Sequence, residues 1–306
     1  MSITINQSNH AKISYYGNTN NYKVLIVCPH ACLGTEFINK YPQIQKATYL
    51  NTQQMHRYLA IEQDFGTEEL GNKIASICSD KFKIDTILIQ PLFPRSIIDA
   101  GRVYPFNLRN ITNYDCHKDL KKMLLKMHSS YIKELQSYLK KIKKSNGFVI
   151  DLHTMSTYSP VSRTEGETYS EALIETPESL LNYIQSYETC HIFGRPRHIE
   201  IFTGDWKRKI TAHYPLLMSI YEQLLLSDYP IEFDKPYIAA PHLIGSYLME
   251  KTKAVCIDIP KDLISKYTTQ DSEYNLAKLH LDMEKLTRLA HTISQGVANT
   301  VQGDQT

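Results

Sequence analysis

No stretch of this chain is apolar for long enough to cross a membrane. The longest apolar runs are short pieces such as VLIVC at 24–28, well below the roughly 20 residues that a spanning helix needs. The beginning, MSITINQSNHAKISYYG, lacks a basic region followed by an apolar segment. A secretory leader is therefore not expected, and a cytoplasmic location is. Charge of one sign is not in excess either. A net charge of +2 over 306 residues gives no electrostatic reason to expect nucleic acid or an anionic membrane as a partner. Cysteines are few and scattered: Cys28, Cys32, Cys78, Cys116, Cys190 and Cys256 lack the dense spacing of a secreted disulfide scaffold, so free thiols are expected. Internal repeats and low-complexity linkers are absent as well. That favours one domain over residues 1–306, with 1–20 as an N-terminal extension and 299–306 as a disordered tail.

The composition is that of an ordinary globular protein, with 42% hydrophobic and 22% charged residues. Buried strands are expected at 23–29 (KVLIVCP), 84–90 (IDTILIQ), 147–152 (GFVIDL) and 253–259 (KAVCIDI), each a short apolar run rich in β-branched residues. Helices are expected at 67–79, 118–144, 177–187, 213–227 and 272–298. In the first, Leu70, Ile74 and Ile77 recur at helical spacing, and Thr67, Glu68 and Glu69 suit its first turn. The helix at 118–144 carries lysines on one face and apolar residues on the other, the pattern of a solvated surface helix. The polar stretch 154–172 reads as a long loop near a site. Apolar strands alternating with helices predict an α/β fold: a mixed, largely parallel central sheet flanked by helices on both faces.

In open α/β sheets, ligands bind at the carboxyl ends of the strands. His30 follows the first strand, Asp151 and His153 end the third, and Asp258 ends the fourth. One such histidine is more often a satisfied structural residue. Two histidines at the ends of separate buried strands point instead to a metal. Alternation places Asp151 on the same side as His153, where it can orient the imidazole. Two imidazoles need a third ligand, commonly a carboxylate, with water in the fourth position. Asp64, just before a helix, is the choice, although it could equally cap that helix. Glu36 and Glu62 are its rivals. Cys28 and Cys32 flank His30, but C-x-H-x-C matches no common zinc spacing, and both are expected to pack beside it. Arg95 and Arg102 follow the second strand in a loop marked by Pro and Gly. Their planar forks suit a carboxylate or a polarised carbonyl, and surface salt bridges would explain them equally well.

At these residues the chain resembles the N-formylglutamate amidohydrolase family, which is related in fold to zinc carboxypeptidases and aspartoacylase-like deacylases. The resemblance runs in order along residues 23–265. The family's P-H-S-G or E-H-A-G looks like Pro29-His30-Ala31-Cys32, and its D-x-G-T/A-x-x-L-A like Asp64-Phe65-Gly66-Thr67-Glu68-Glu69-Leu70-Gly71. R-L-V-I-D-x-N-R looks like Arg95 through Arg102, I-D-x-H-S like Ile150 through Thr154, and the late N-x-P-Y and Q-I-E like Asp234 through Tyr237 and Cys256-Ile257-Asp258. The resemblance implies a zinc-carboxypeptidase-like fold, with one Zn2+ ion held by His30, Asp64 and His153. It implies that Arg95 polarises the scissile carbonyl, that Arg102 binds a substrate carboxylate, and that Asp258 is the general base. Two positions depart from the pattern: Gly101 stands where the family has asparagine, and Asp258 where it has glutamate.

The expected activity is metal-assisted hydrolysis of the amide of a small N-acyl (N-formyl-like) acidic amino acid, a carboxylate-bearing small molecule. Two further readings stay open: a zinc peptidase or amidase acting on a peptide or cell-wall fragment, and a catalytically silent relative that binds its ligand without turnover. Iron, manganese or cobalt also suit two histidines and a carboxylate.

Overall fold

The four apolar runs expected as strands lie side by side at the centre of one sheet. The computed structural model describes residues 3–304, apart from 9, 18–20, 160–175, 189–193, 206, 208, 236 and 268–277. In chain order its elements begin with β1 (Ile3–Gln7), β2 (Ala11–Tyr16) and β3 (Val24–Val27). Four helices follow: α1 (Gly34–Lys40), α2 (Pro42–Ala47), α3 (Thr52–Glu62) and α4 (Thr67–Phe82). Next come β4 (Thr86–Pro91), α5 (Lys118–Lys144), β5 (Phe148–Met155), β6 (Tyr158–Ser159), α6 (Pro177–Glu188), β7 (Arg195–Pro196) and β8 (Ile199–Phe202). The remainder comprises α7 (Tyr214–Leu226), β9 (Ile231–Phe233), α8 (Ile244–Lys251), β10 (Lys253–Pro260), β11 (Ser265–Tyr267), β12 (Leu279–Leu281) and α9 (Met283–Gly303).

Among the described residues the main sheet has eight strands in the order β1-β2-β4-β3-β5-β10-β8-β9. Its centre, β4-β3-β5-β10, is parallel, whereas β1, β2 and β8 join antiparallel neighbours. The expected mixed, largely parallel sheet is therefore observed. Every residue of β3 and β4 is buried, as strands covered on both faces must be. α4 packs on one face, with Gly71 against Ile26 and Leu88. α5 and α8 lie against β5 on the other. Among the described residues no helix is long and apolar enough to cross a membrane.

Three sequence expectations need correction. Residues 1–20 are not merely an appended extension: β1 and β2 join the main sheet, and Ala11, Ile13 and Tyr16 are buried in its core. The last helix starts at Met283 rather than 272, because Leu279–Leu281 pairs with Ser265–Tyr267 as a hairpin; residues 272–277 lie outside the described residues. That helix also runs on to Gly303, through the expected tail, because Val297, Ala298 and Val301 continue its buried face. Of the polar stretch 154–172, only 154–159 is described, as the end of β5 and the short β6.

The crossover from β3 to β4 positions the centre of the molecule. α3 begins on a capping box: Gln54 N donates to the Asn51 side chain at 2.9 Å, and Asn51 N to the Gln54 side chain at 3.0 Å. It ends at Glu62, and a short turn leads into α4 through Gly66, whose φ of +79° is left-handed. Glycine is the residue that takes such a conformation without steric cost. Asp64 sits in this turn. No side chain caps α4, so the Asp64 carboxylate is not used as a cap.

Candidate metal centre

Side chains from the turn after β3, from the turn between α3 and α4, and from β5 meet at one point. His30 Nδ1 is 3.2 Å from Asp64 Oδ2. His153 Nδ1 is 3.1 Å from the same oxygen and 3.2 Å from His30 Nδ1. These three atoms form a nearly equilateral triangle. Ligands held about 2.0–2.1 Å from a tetrahedral zinc ion stand roughly 3.3 Å apart, so the donor set and its spacing both fit such an ion. His30 and Asp64 are buried and His153 nearly so. Neither rival carboxylate is there. Glu36 is exposed on α1, and Glu62 is engaged by two arginines behind the site. Cys28 points away, its thiol donating to Thr67 O at 3.7 Å. Cys32 donates to Leu33 O at 3.7 Å.

Each imidazole also presents its far nitrogen to a carboxylate. His30 Nε2 lies 2.7 Å from Asp99 Oδ1, and His153 Nε2 lies 3.3 Å from Asp151 Oδ1. Such partners fix the tautomer, so that the near nitrogen keeps its lone pair for a cation. Alternation along β5 placed Asp151 on the side of His153, where the structure has it. Asp99 was missed, although it lies inside the loop that carries the two arginines. Asp99 also accepts from Gly101 N at 2.8 Å and Arg102 Nε at 2.9 Å, and Arg109 Nη2 approaches it at 3.3 Å. Burial alone would raise the Asp99 carboxyl, but the charge on His30 and its hydrogen bond, with Arg109 and Arg102, hold it well below the usual range. Asp64 is likewise lowered: burial opposes ionisation, and His30 and His153 overcome it.

Gly101 has a steric reason. A Cβ there would lie 2.7 Å from His30 Nε2 and 3.2 Å from Asp99 Oδ1. Under 3 Å such an atom displaces the ring. The imidazole thus occupies the space that an asparagine side chain at this position would claim. Gly101→Ala is expected to weaken the affinity of the triangle for an added divalent cation about 10–100-fold by disturbing this orientation, as measured by competition with a chromophoric chelator. Unchanged affinity would show that the ring can give way freely.

Behind the triangle lies an ion network. Arg95 Nε contacts Glu62 Oε2 at 3.2 Å, and Arg109 Nη2 contacts the same oxygen at 2.8 Å; Tyr183 donates to the other oxygen of Glu62. The Arg95 Nη1 atom reaches the triangle, 3.2 Å from His30 Nδ1 and 3.4 Å from Asp64 Oδ1. A cation at the triangle competes for that His30 lone pair, so Arg95 must release it while staying tethered through Nε. Burial opposes ionisation of Glu62, but Arg109 and Arg95 outweigh it and lower the carboxyl to about 2. A folded pKa below the ordinary 4.5 adds stability above that value, and the contribution disappears as pH falls toward 2. The shift corresponds to about 3 kcal/mol. Glu62→Gln, which leaves two buried arginines without this partner, is expected to cost about 3–5 kcal/mol at pH 7. Denaturant unfolding should show that difference shrinking between pH 4.5 and 2.

The triangle opens into a cavity of about 110 Å³, lined also by Arg102, Tyr183, Tyr187, Arg197, Tyr237 and Asp258. Arg102 is buried, and its Nη1 takes no hydrogen bond among the described residues. Asp258 sits on β10, in register with His153 on β5, and its Oδ1 is also without a hydrogen bond among the described residues. Burial raises the Asp258 carboxyl to about 6, against the charge of His153. On the next strand Glu200 is fully buried and in register with Asp258. It accepts from Tyr237 N at 2.8 Å. Burial, then the charge of Asp258, push it well above the carboxylate range. Arg197 lies over the Tyr237 ring, 5.2 Å from its centroid. Neither Glu200 nor Arg197 was singled out from the sequence. The available signal was a lone carboxylate inside the apolar strand Ile199–Phe202.

No family model matches this chain, and no curated protein matches it in sequence. Solved structures do match in fold. A crystal structure of N-formylglutamate amidohydrolase from Ralstonia eutropha JMP134 superposes with a TM-score of 0.56 over 95% of this chain and 98% of that one, at 14% identity. A gene product of Agrobacterium tumefaciens superposes with a TM-score of 0.54 over 98% of this chain and 97% of that one, also at 14% identity. At this identity the likeness is one of fold.

Proposed function

We propose that this protein is a zinc-dependent amidohydrolase that cleaves the amide of a small N-acyl acidic amino acid. The observation that carries the reading is the triangle of His30, Asp64 and His153, with a carboxylate behind each imidazole. Two nitrogens and one carboxylate oxygen form the donor set of hydrolytic zinc sites that keep a position for water. A zinc ion held there supplies the Lewis acidity that brings a water to nucleophilic strength near neutral pH. The residues around it have separable tasks. Asp258 takes the proton from the attacking water and delivers it to the leaving nitrogen. Arg95, freed from His30 but held by Glu62, neutralises charge developing on the carbonyl oxygen. Arg102, with Nη1 available and Nε fixed by Asp99, holds the substrate carboxylate in a defined orientation. Fold likeness to a structure described as an N-formylglutamate amidohydrolase supports the amide-hydrolase class.

The test is turnover of a panel of N-formyl and other N-acyl amino acids with one equivalent of zinc. Acidic members are expected to be cleaved best, and Arg102→Met to raise KM chiefly for them. Tight binding of these compounds without release of the free amino acid would favour a silent binding protein instead.

A further inference from the structure

His153 has two ring nitrogens, and only Nδ1 faces the triangle. The Nε2 side meets a second set of donors. Asp151 on β5 and Cys256 on β10 are partners in the parallel register. The ligand atoms of Asp151, His153 and Cys256 all lie within 4.8 Å of one another. Cys256 is 6% exposed and Asp151 3% exposed, and both line the cavity. Asp151 Oδ1 faces His153 Nε2 at 3.3 Å. Gly245, in the first turn of α8, keeps side-chain atoms out of this corner. A Cβ there would stand 2.7 Å from Asp151 Oδ2 and 3.5 Å from Cys256 Sγ. A carboxylate, an imidazole and a thiol therefore converge next to the cavity, and the thiol is the donor that the first triangle lacks.

We infer that Asp151, His153 and Cys256 form a second cation site, selective for thiophilic divalent ions such as cadmium, which competes with the His30–Asp64–His153 site for one imidazole. Selectivity follows from the sulfur: thiolate favours soft cations over the oxygen-preferring ones. Binding displaces the thiol proton to solvent. Competition follows from His153. To serve both sites at once it would have to lose both ring protons, with two dications close together in a buried pocket. A thiophilic ion captured by Asp151 and Cys256 thus draws His153 away from the first site. The competition rests on the zinc reading above; the thiolate site itself does not.

The experiment titrates the full-length chain, reduced and stripped with a chelator, with Cd2+ alone. The readout is the ultraviolet thiolate-to-cadmium charge-transfer band. One band-forming cadmium per chain is expected in excess of that seen in Cys256→Ser, which subtracts the other cysteines. Asp151→Asn is expected to weaken this cadmium about 10–100-fold, and one bound zinc to weaken it at least about tenfold. His30→Ala should lose zinc and keep the band. Equal bands in the wild type and Cys256→Ser would overturn the site. A band that one bound zinc leaves untouched would overturn the competition. If Cys256→Ser does not fold, as judged by circular dichroism, Cys256→Ala and Asp151→Asn take its place. A wild-type protein that forms the band yet binds no zinc would overturn the zinc reading and leave the thiolate site standing.

Discussion

Replacing either His30 or His153 with alanine is expected to abolish stoichiometric zinc binding and to lower kcat/KM for amide hydrolysis at least about a thousandfold. Each ring supplies one corner of a triangle whose edges are 3.1–3.2 Å. With one corner gone, two ligands remain, fewer than the three protein ligands that a catalytic zinc site uses. The loss of several kcal/mol of charge stabilisation at the carbonyl corresponds to three orders of magnitude or more in rate. Asp64→Ala should behave alike, since its Oδ2 is the oxygen shared by both imidazoles. Metal analysis after gel filtration, with steady-state kinetics on the same samples, checks this. A double His30→Ala, His153→Ala variant that keeps one zinc per chain would sink the assignment. Glu36→Ala is the contrast: this exposed carboxylate should leave metal content and rate unchanged.

The second large effect belongs to Asp258. Asp258→Asn is expected to lower kcat about 10²–10⁴-fold, the usual worth of a positioned general base, with zinc content unchanged and KM little altered. The separation is informative because Asp258 lines the cavity without being part of the ligand triangle. Its carboxyl is raised to about 6 by burial. A base works only when ionised, so kcat/KM should rise with pH through a limb at or below about 6, and a cation beside the carboxyl pulls that limb lower. The same shift has the opposite sign for stability. A folded pKa above the ordinary 3.8 means that ionising Asp258 works against the fold, so its removal should make the chain slightly more stable at pH 7. An Asp258→Asn variant that retains full turnover would remove Asp258 from the chemistry. Glu200, in register with Asp258 but fully buried and not lining the cavity, lies too deep to replace it.

Several features of the centre were legible before any coordinates. The four strands at its core are short β-branched runs, and burial on both faces follows from that composition. Strand alternation put Asp151 beside His153, and the structure places its carboxylate 3.3 Å from that ring. The helix at 118–144 appears with those bounds because its amphipathic period is long and uninterrupted. The edges of the fold were harder. β1 and β2 interleave polar residues such as Thr4, Asn6, Lys12 and Ser14 with their apolar ones, and what makes them strands is pairing with each other and with β4. The chain's end reads as a polar tail until its apolar positions are seen to continue the buried face of α9.

The sequence by itself determined the four central strands of the sheet and which histidines follow or lie on them, because burial patterns and strand alternation are written over a few consecutive residues. Only the tertiary structure brings Asp64, rather than Glu36 or Glu62, beside the two histidines. All three are acidic side chains near helices, and what separates them is where the crossover from α3 to α4 brings each relative to β3 and β5. The same holds for Asp99 behind His30, for Gly101, whose missing side chain makes room for that ring, and for Cys256 beside His153. Each depends on contacts between residues far apart in the chain, and such contacts are set by packing rather than by local periodicity.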